Sequence, residues 1–592
     1  MSDSLPRRLL LTSVCRPLGR RYGDGHSVGY ELLHGQITRA QGCFSPRSYQ
    51  LHFSLEYIAH NLDIPTVVLQ YPTERELIRE LKRGYAYVGV SFNLSLFHRM
   101  KRVVELIRCH TPAAKIILGG YGTVLGDEEL APYGDHICRE EGVAFLRRLF
   151  GEPHKPMPYD HPIIINGLTV FSQSIGDNGM IFAGLGCPNG CDFCCTSHFF
   201  KRRHIRLLPT GEDIFRVMMR YRARDPRIKF TVLDEDFLLN KRRAMAFRAC
   251  VLAARVDLPM FVFSSVRALS QYTMTELLEM GISGVWMGYE GRRSNFAKQQ
   301  GRPIDELMTD LRAHGINVLA SMIVGFDYQT PVIIQEELDA LLALEPAFTQ
   351  FLIYGPVPGT PFYERITREG RLRRKFLEHR EAFYRRCTGF YSVVQHPTMT
   401  VPQVQAIQRD CFRQDFERLG PSIIRSVEAW WLGYQRLKGT EDERLRMCVA
   451  RYRQDILDAV PALRPAMWLG PSRVARERAR RLFADIRREF GPLPAVQLAK
   501  SWLALPLAGW TALTLKIEWL QHPSLVRTEY RTTPNPSDEA RVEPPVDEIS
   551  PAVDQRGVPA ETWTDEPDPA TSPPEPLVNA PPCATAVGEP SA

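Results

Sequence analysis

Apolar and polar positions divide the chain into stretches with different periods. Up to about residue 150, short apolar runs alternate with segments that repeat every three to four residues. The runs Leu9–Val14, Thr66–Gln70, Tyr87–Ser91, Lys115–Gly119 and His136–Arg139 predict strands. Between them, Leu51–Asn61, Glu74–Arg83 and Phe97–Cys109 predict amphipathic helices. Strands alternating with helices build parallel sheets. Residues 1–150 are therefore expected to form a doubly wound, Rossmann-like α/β domain with ligand sites at the strands' carboxyl ends.

Residues 151–175 carry Pro and Gly and read as a connector. From 176 to 385 a second series follows. Its predicted strands are Met180–Gly184, Phe230–Asp234, Met260–Ser264, Gly284–Tyr289, Asn317–Ile323 and Gln350–Tyr354. Helical patterns such as Gly211–Arg222, Arg242–Arg255 and Pro331–Leu344 follow most of them. Such β/α units predict a partial (β/α)6 TIM barrel, whose chemistry would sit in loops at the strand C-termini. Residues 386–530 read as helical, Arg-rich and Trp-bearing, without a strand series. They are expected to cover the barrel mouth or meet a partner. Residues 531–592 are Pro-rich and acidic, with 14 prolines from Pro534 onward, and are expected to be disordered because they have little to bury.

Charge sharpens this division. The whole chain of 592 residues carries +7, but Pro534–Ala592 holds 12 acidic and 2 basic residues, so the rest carries +17. A basic body can attract nucleic acid, anionic lipid or a phosphorylated substrate, but a solvated Arg-rich surface explains it equally simply. No nucleic acid is expected. The 44% hydrophobic content excludes global disorder and a multi-span membrane protein. The longest apolar stretch, SWLALPLAGWTALTL, has 15 residues between Lys500 and Lys516, short of the roughly 20 that span a bilayer. It suggests peripheral membrane contact through 495–520, or a lipid-like substrate. The start, MSDSLPRRLLLTSV, lacks a signal-type apolar core, and the 13 cysteines are odd in number and scattered. The expected setting is reducing and cytoplasmic, where clustered cysteines mean metal or redox chemistry.

One such cluster follows the first predicted barrel strand: MIFAGLGCPNGCDFCCTSHFF. Cys187, Cys191 and Cys194 stand in a C-x3-C-x2-C arrangement, with Cys195 directly after. Thiolates on one loop can hold several irons of a 4Fe–4S cubane, and three of them leave one iron open to another ligand. A structural zinc site, completed by His198, is the alternative, although zinc knuckles favour paired CxxC motifs and no second CxxC exists here.

This motif after the first strand of a part-barrel resembles the radical S-adenosylmethionine (SAM) superfamily. The resemblance implies that Cys187, Cys191 and Cys194 bind three irons, and that Phe193 packs near the adenine of SAM. It implies that the open iron chelates SAM, and that reduction cleaves SAM to methionine and a 5′-deoxyadenosyl radical. Cys195 has no role in that family and reads as structural. Further strand ends fit: Leu233-Asp234-Glu235-Asp236-Phe237, Ser264-Ser265-Val266-Arg267, Met287-Gly288-Tyr289-Glu290-Gly291, Ile323-Val324-Gly325 and Pro356-Val357-Pro358-Gly359-Thr360-Pro361. By the resemblance, Asp234, Arg267 and Glu290 are candidate SAM contacts, with Glu290 and Arg267 preferred.

Val88-Gly89-Val90-Ser91 and the Gly119-Gly120 pair are similar to loops of the cobalamin-binding domain found ahead of many radical SAM barrels. Ser91, Gly119 and Gly120 are thus candidate cobalamin contacts. Asp24-Gly25-His26-Ser27-Val28-Gly29 matches D-x-H-x-x-G, which makes His26 a candidate cobalt ligand, although the loop before it is longer than the family's. The closing "GEGE" of that domain is here Arg139-Glu140-Glu141-Gly142. The expected function is a radical SAM enzyme with a 4Fe–4S cluster, SAM and cobalamin. It would methylate or otherwise modify an unactivated carbon of a small-molecule or lipid-like substrate, fed by a flavodoxin- or ferredoxin-type electron donor. A cobalamin-independent cyclase or rearrangement enzyme, and a methylthiotransferase-like modifier of tRNA or protein, are the alternatives.

Overall fold

A computed structural model describes residues 6–16, 33–48, 53–517 and 525–531. The first series of apolar runs forms strands β1 (Leu9–Ser13), β2 (Thr66–Gln70), β3 (Tyr87–Ser91), β4 (Lys115–Gly119) and the short β5 (His136–Ile137). β1 and β2 are buried along their whole length, as expected of central parallel strands covered by helices on both faces. The chain leaves β1 for β2 on one side and crosses to β3 on the other. β1 therefore marks the switch point where doubly wound sheets open a ligand crevice. The register aligns Ser13 with Ser91 and Ser91 with Gly119, which puts three strand ends at one level.

The second series forms β6 (Ile165–Val170), β7 (Gln173–Phe182), β8 (Lys229–Leu233), β9 (Met260–Phe263), β10 (Ile282–Glu290), β11 (Asn317–Val324) and β12 (Phe348–Ile353). They lie in sequence order in one curled sheet, parallel except for the β6–β7 hairpin. The six expected parallel strands are thus β7–β12. The segment read as a connector contributes β6 to the edge. Alternate strand residues such as Val232, Val262 and Val285 are fully buried beneath the outer helices. The opposite face carries Phe263 stacked on Trp286 at 5.0 Å.

Such a half-barrel has two open edges. The segment 33–48, expected to belong to the first domain, touches both. Gln36 accepts a hydrogen bond from Gln350 of β12 at 3.2 Å, and the main chain of Arg47 pairs with Thr169 of β6.

Two helices of the C-terminal region are anchored on the half-barrel at different places. Helix Val401–Leu419 lies along β12, where Gln408 donates to the Phe351 carbonyl at 2.8 Å. Helix Glu443–Leu469 reaches the barrel's other end. Its Arg444 and Arg451 pair with Asp257 just before β9, and Tyr452 donates to the His314 carbonyl before β11 at 2.8 Å. These anchors precede the strands, so the helix packs on the barrel floor and not over its mouth. The region also ends in a strand that was expected to be helix, β13 (Val526–Tyr530), which pairs antiparallel with β2 at the edge of the first sheet. The disorder expected for 531–592 falls almost wholly outside the described residues.

Candidate functional site

The cysteine loop lies between β7 and the one-turn helix Cys195–Phe199. Its backbone is pinned from within. Ser197 donates to the Cys187 carbonyl at 2.6 Å and accepts from the Gly190 N–H at 3.1 Å. His198, considered above as a zinc ligand, engages the Cys191 carbonyl through Nε2 at 3.1 Å. Cys187 and Cys191 are buried and Cys194 is partly exposed; all three thiols are free. Burial, with Asp236 and the neighbouring Cys194 and Cys191, pushes the Cys187 thiol up to about 12. Among the described residues, no three His, Cys, Asp or Glu side chains gather closely enough to hold one metal ion. Thiols spread along one loop suit separate corners of a multi-iron cluster, where each sulfur meets a different iron.

Phe193 packs edge-on against Phe296 and Tyr354, with centroids at 5.5 and 5.9 Å, and lies 5.6 Å from the Lys298 amine. Glu290 is buried and ion-paired with Lys298. Its backbone stands at φ 58°, a left-handed conformation uncommon for a non-glycine residue and characteristic of constrained functional loops. Burial alone would favour the neutral amine of Lys298, but Glu290 and the adjacent Cys191 and Cys194 hold its pKa above the usual lysine value. Arg267 donates to the Asn189 side chain of the cysteine loop at 2.5 Å. Asn189 in turn donates to Asp236 at 2.9 Å, and Asp236 accepts from Ser264 and Ser265. The ends of β8 and β9 are thereby tied to the cysteine loop.

Asp234 is held by two basic side chains. Its buried carboxylate is ion-paired with Arg243 and hydrogen-bonded to His204 Nε2 at 3.2 Å. Burial would raise its pKa, but these two partners hold it down at about 2. The neighbouring Glu235 is the open group. Burial and repulsion from Asp234 push its pKa up to about 7, and its Oε2 has no hydrogen-bond partner. Asp192 Oδ1, beside Cys191, is likewise buried and unpaired, while its Oδ2 accepts from Tyr354 at 2.6 Å. Two orphaned carboxylate oxygens beside the cysteine loop fit a ligand bearing ammonium and hydroxyl groups, such as SAM.

On the first domain, Ser91 and Gly120 meet. Gly120 sits at φ 85°, and a side chain there would lie 2.9 Å from Ser91 Oγ and 2.7 Å from the Phe92 carbonyl. Gly119 faces open space at the end of β4. Small residues at three aligned strand ends suit close approach by a bulky ligand such as cobalamin. His26 lies outside the described residues. Directly after the glycine pair, Tyr121 packs on Phe199 at 5.3 Å, and Val124 meets the Pro356–Pro361 turn, where a side chain on Gly359 would lie 2.8 Å from it. Glu141 caps the helix Gly142–Phe150 by accepting from the Val143 and Ala144 N–H groups.

The structure thus places Arg267, Glu290 and Phe193 about the cysteine loop, Asp234 in an ion pair with Arg243, and Ser91, Gly119 and Gly120 at neighbouring strand ends of the first sheet. Lys298, Asn189 and Tyr121 were not singled out from sequence, and Glu235 stood only within the acidic run Leu233–Phe237. Asn189 and Tyr121 carried a signal in their adjacency to the motifs. Lys298 carried none, because only the folded loop brings it beside Glu290.

No family model matches the chain. It is 26% identical over 196 residues to an uncharacterized methyltransferase of Pyrococcus horikoshii, covering 31% of this chain and 41% of that protein. It is 24% identical over 194 residues to the bacteriochlorophyllide d C-12(1)-methyltransferase of Chlorobaculum tepidum, covering 31% of this chain and 42% of that protein. The chain therefore spans about two-fifths of the length of these curated relatives. Among solved structures, the radical S-adenosylmethionine methyltransferase TsrM from Kitasatospora setae, with cobalamin and a 4Fe–4S cluster bound, superposes with a TM-score of 0.50. The identity is 14%, over 76% of this chain and 100% of that one. At that identity the likeness is one of architecture: the chain, a parallel α/β domain joined to a curled half-barrel, shares its fold with a cobalamin-bound radical S-adenosylmethionine methyltransferase.

Proposed function

We propose that this protein is a cobalamin-dependent radical SAM methyltransferase acting on an unactivated carbon of a small molecule. The observation that carries the reading is the meeting of the two candidate cofactor loops. Tyr121, next to the glycine pair of β4, rests on the helix that ends the cysteine loop. When bound, the cluster supplies the electron that cleaves SAM to methionine and a 5′-deoxyadenosyl radical, and cobalamin supplies a transferable methyl group.

The chain's part is to hold and orient. Cys187, Cys191 and Cys194 would hold the cluster, and Lys298 places a positive charge beside Cys191 and Cys194. Phe193, Arg267 and Glu290 would frame SAM, with the Asp192 and Glu235 carboxylates as acceptors for its polar groups. Ser91, Gly119 and Gly120 would admit cobalamin. On the inner face of the half-barrel, the Phe263–Trp286 stack passes to polar groups. Trp286 Nε1 donates to Ser321 at 2.7 Å, and Ser321 donates to Gln350 at 2.8 Å. This lining suits a substrate with an apolar or aromatic portion and a polar end. A flavodoxin- or ferredoxin-type donor would supply electrons.

The test is anaerobic reconstitution of the full chain with iron and sulfide, followed by SAM and reductant. Wild type should form 5′-deoxyadenosine. Cys187→Ala, Cys191→Ala and Cys194→Ala should lose iron and nucleoside formation together, while Cys195→Ala keeps both. A C194A variant with wild-type levels of both would overturn the assignment.

A further inference from the structure

The helix Ala495–Lys516 is built inside out. Its buried positions, Ser501, Ala504, Ala508, Thr511 and Thr514, are all small. Its large apolar side chains point outward: Trp502 is 54% exposed, Leu503 57%, Trp510 44% and Leu513 47%. At 100° per residue these four fall on one stripe, with Pro506 between them and Ile517 continuing it. Ten of the fifteen exposed large hydrophobic side chains among the described residues lie between Trp468 and Ile517. A patch this concentrated marks an interaction surface.

Charge identifies what fits it. The helix has no acidic residue, and Lys500 and Lys516 flank the stripe on opposite sides. At its edge the Arg464 guanidinium lies 3.7 Å from the Trp502 ring and 5.9 Å from that of Phe483, on which Arg487 also rests. Phe483 belongs to the helix Arg473–Phe490, which holds seven arginines against three acidic residues. The apolar stripe is thus continuous with a cationic rim. A second copy of the chain would set like charges against each other across a two-fold axis. An anionic bilayer surface satisfies both features, since it offers apolar depth for the tryptophans and leucines and negative headgroups for the rim. No described helix is long and apolar enough to cross a membrane, so the helix would lie in the surface.

We infer that the helix Ala495–Lys516 docks this protein onto an anionic lipid surface through Trp502, Leu503, Trp510 and Leu513. This docking needs neither cluster nor cobalamin. It is tested by flotation of the purified full chain with vesicles of phosphatidylcholine and phosphatidylglycerol, against vesicles of phosphatidylcholine alone. The chain should float with the anionic vesicles at low salt. The exposed double substitution Trp502→Ser with Leu513→Ser should weaken this about tenfold with an unchanged circular dichroism spectrum and melting temperature. Lys500→Glu with Lys516→Glu should weaken it too, and high salt should mimic that loss. Absence of flotation, equal flotation with both vesicle types, or wild-type flotation of the Trp502/Leu513 variant overturns the inference. So does a chain that sediments as a dimer and becomes a monomer on that substitution.

Discussion

Holding the largely buried Lys298–Glu290 pair beside Cys191 and Cys194 is costly unless the two stay together. Removing one partner leaves an uncompensated charge in a desolvated place, which typically costs about 3–5 kcal/mol. Lys298→Met should therefore lower the urea midpoint of the apo protein markedly, and adding Glu290→Gln should restore most of it. If Lys298→Met alone is silent, the pair is not buried as described. At this scale the sequence was legible where chemistry is local. Cys187, Cys191 and Cys194 share one loop, so their spacing announces them. The ion pair of Asp234 was not legible, because its motif says nothing of Arg243, which helix Lys241–Ala254 folds back onto the strand end.

Strands β2, β3 and β4 match their expected bounds because buried parallel strands read as unbroken apolar runs between turn residues. β13 did not read as a strand. Its sequence VRTEY is half polar, and much of that polarity is satisfied by distant helices: Arg527 pairs with Glu80 of the helix Glu74–Leu81, while Thr528 and Tyr530 donate to Glu56 of the helix Phe53–His60. Truncation after Arg531 should leave the melting temperature unchanged. Truncation before Leu525 should lower it by about 3 °C or more, since it opens the edge of β2 and leaves Glu56 with only Gln70 and Glu80 with only Tyr85 and Arg83. Equal melting temperatures for both truncations would contradict the pairing.

Asp327, after β11, ties that strand's loop to the helix following the Pro356–Pro361 turn. Hydrogen bonds from Arg371, opposed by burial and supported by Arg365, hold its pKa at about 2, below the ordinary 3.8. A depressed carboxylate stabilises the fold above its unfolded pKa and loses that contribution as pH falls through its folded one. Allowing for its partial exposure, Asp327→Asn should cost about 1–2 kcal/mol near pH 7. The difference should fade between about pH 4 and pH 2. A pH-independent difference in melting temperature would contradict this.

For the whole molecule, the two α/β units were legible from period alone, because each βαβ rhythm specifies its own parallel sheet. Their closure was not. The segment 33–48 touching both half-barrel edges, the floor helix Glu443–Leu469 and the return of β13 to the first sheet are contacts between distant residues, for which periodicity carries no signal. The same holds for Tyr121, which turns two separate ligand-type loops into neighbours. That junction makes a shared reaction of cluster and cobalamin the central claim. It is tested most directly by anaerobic reconstitution of the full chain with iron, sulfide and hydroxocobalamin, desalting, and metal analysis. The account predicts about four irons and about one cobalt per chain, with iron lost in Cys191→Ala while cobalt is retained. A chain that takes up iron but no cobalt at excess hydroxocobalamin would contradict the methyl-transfer reading.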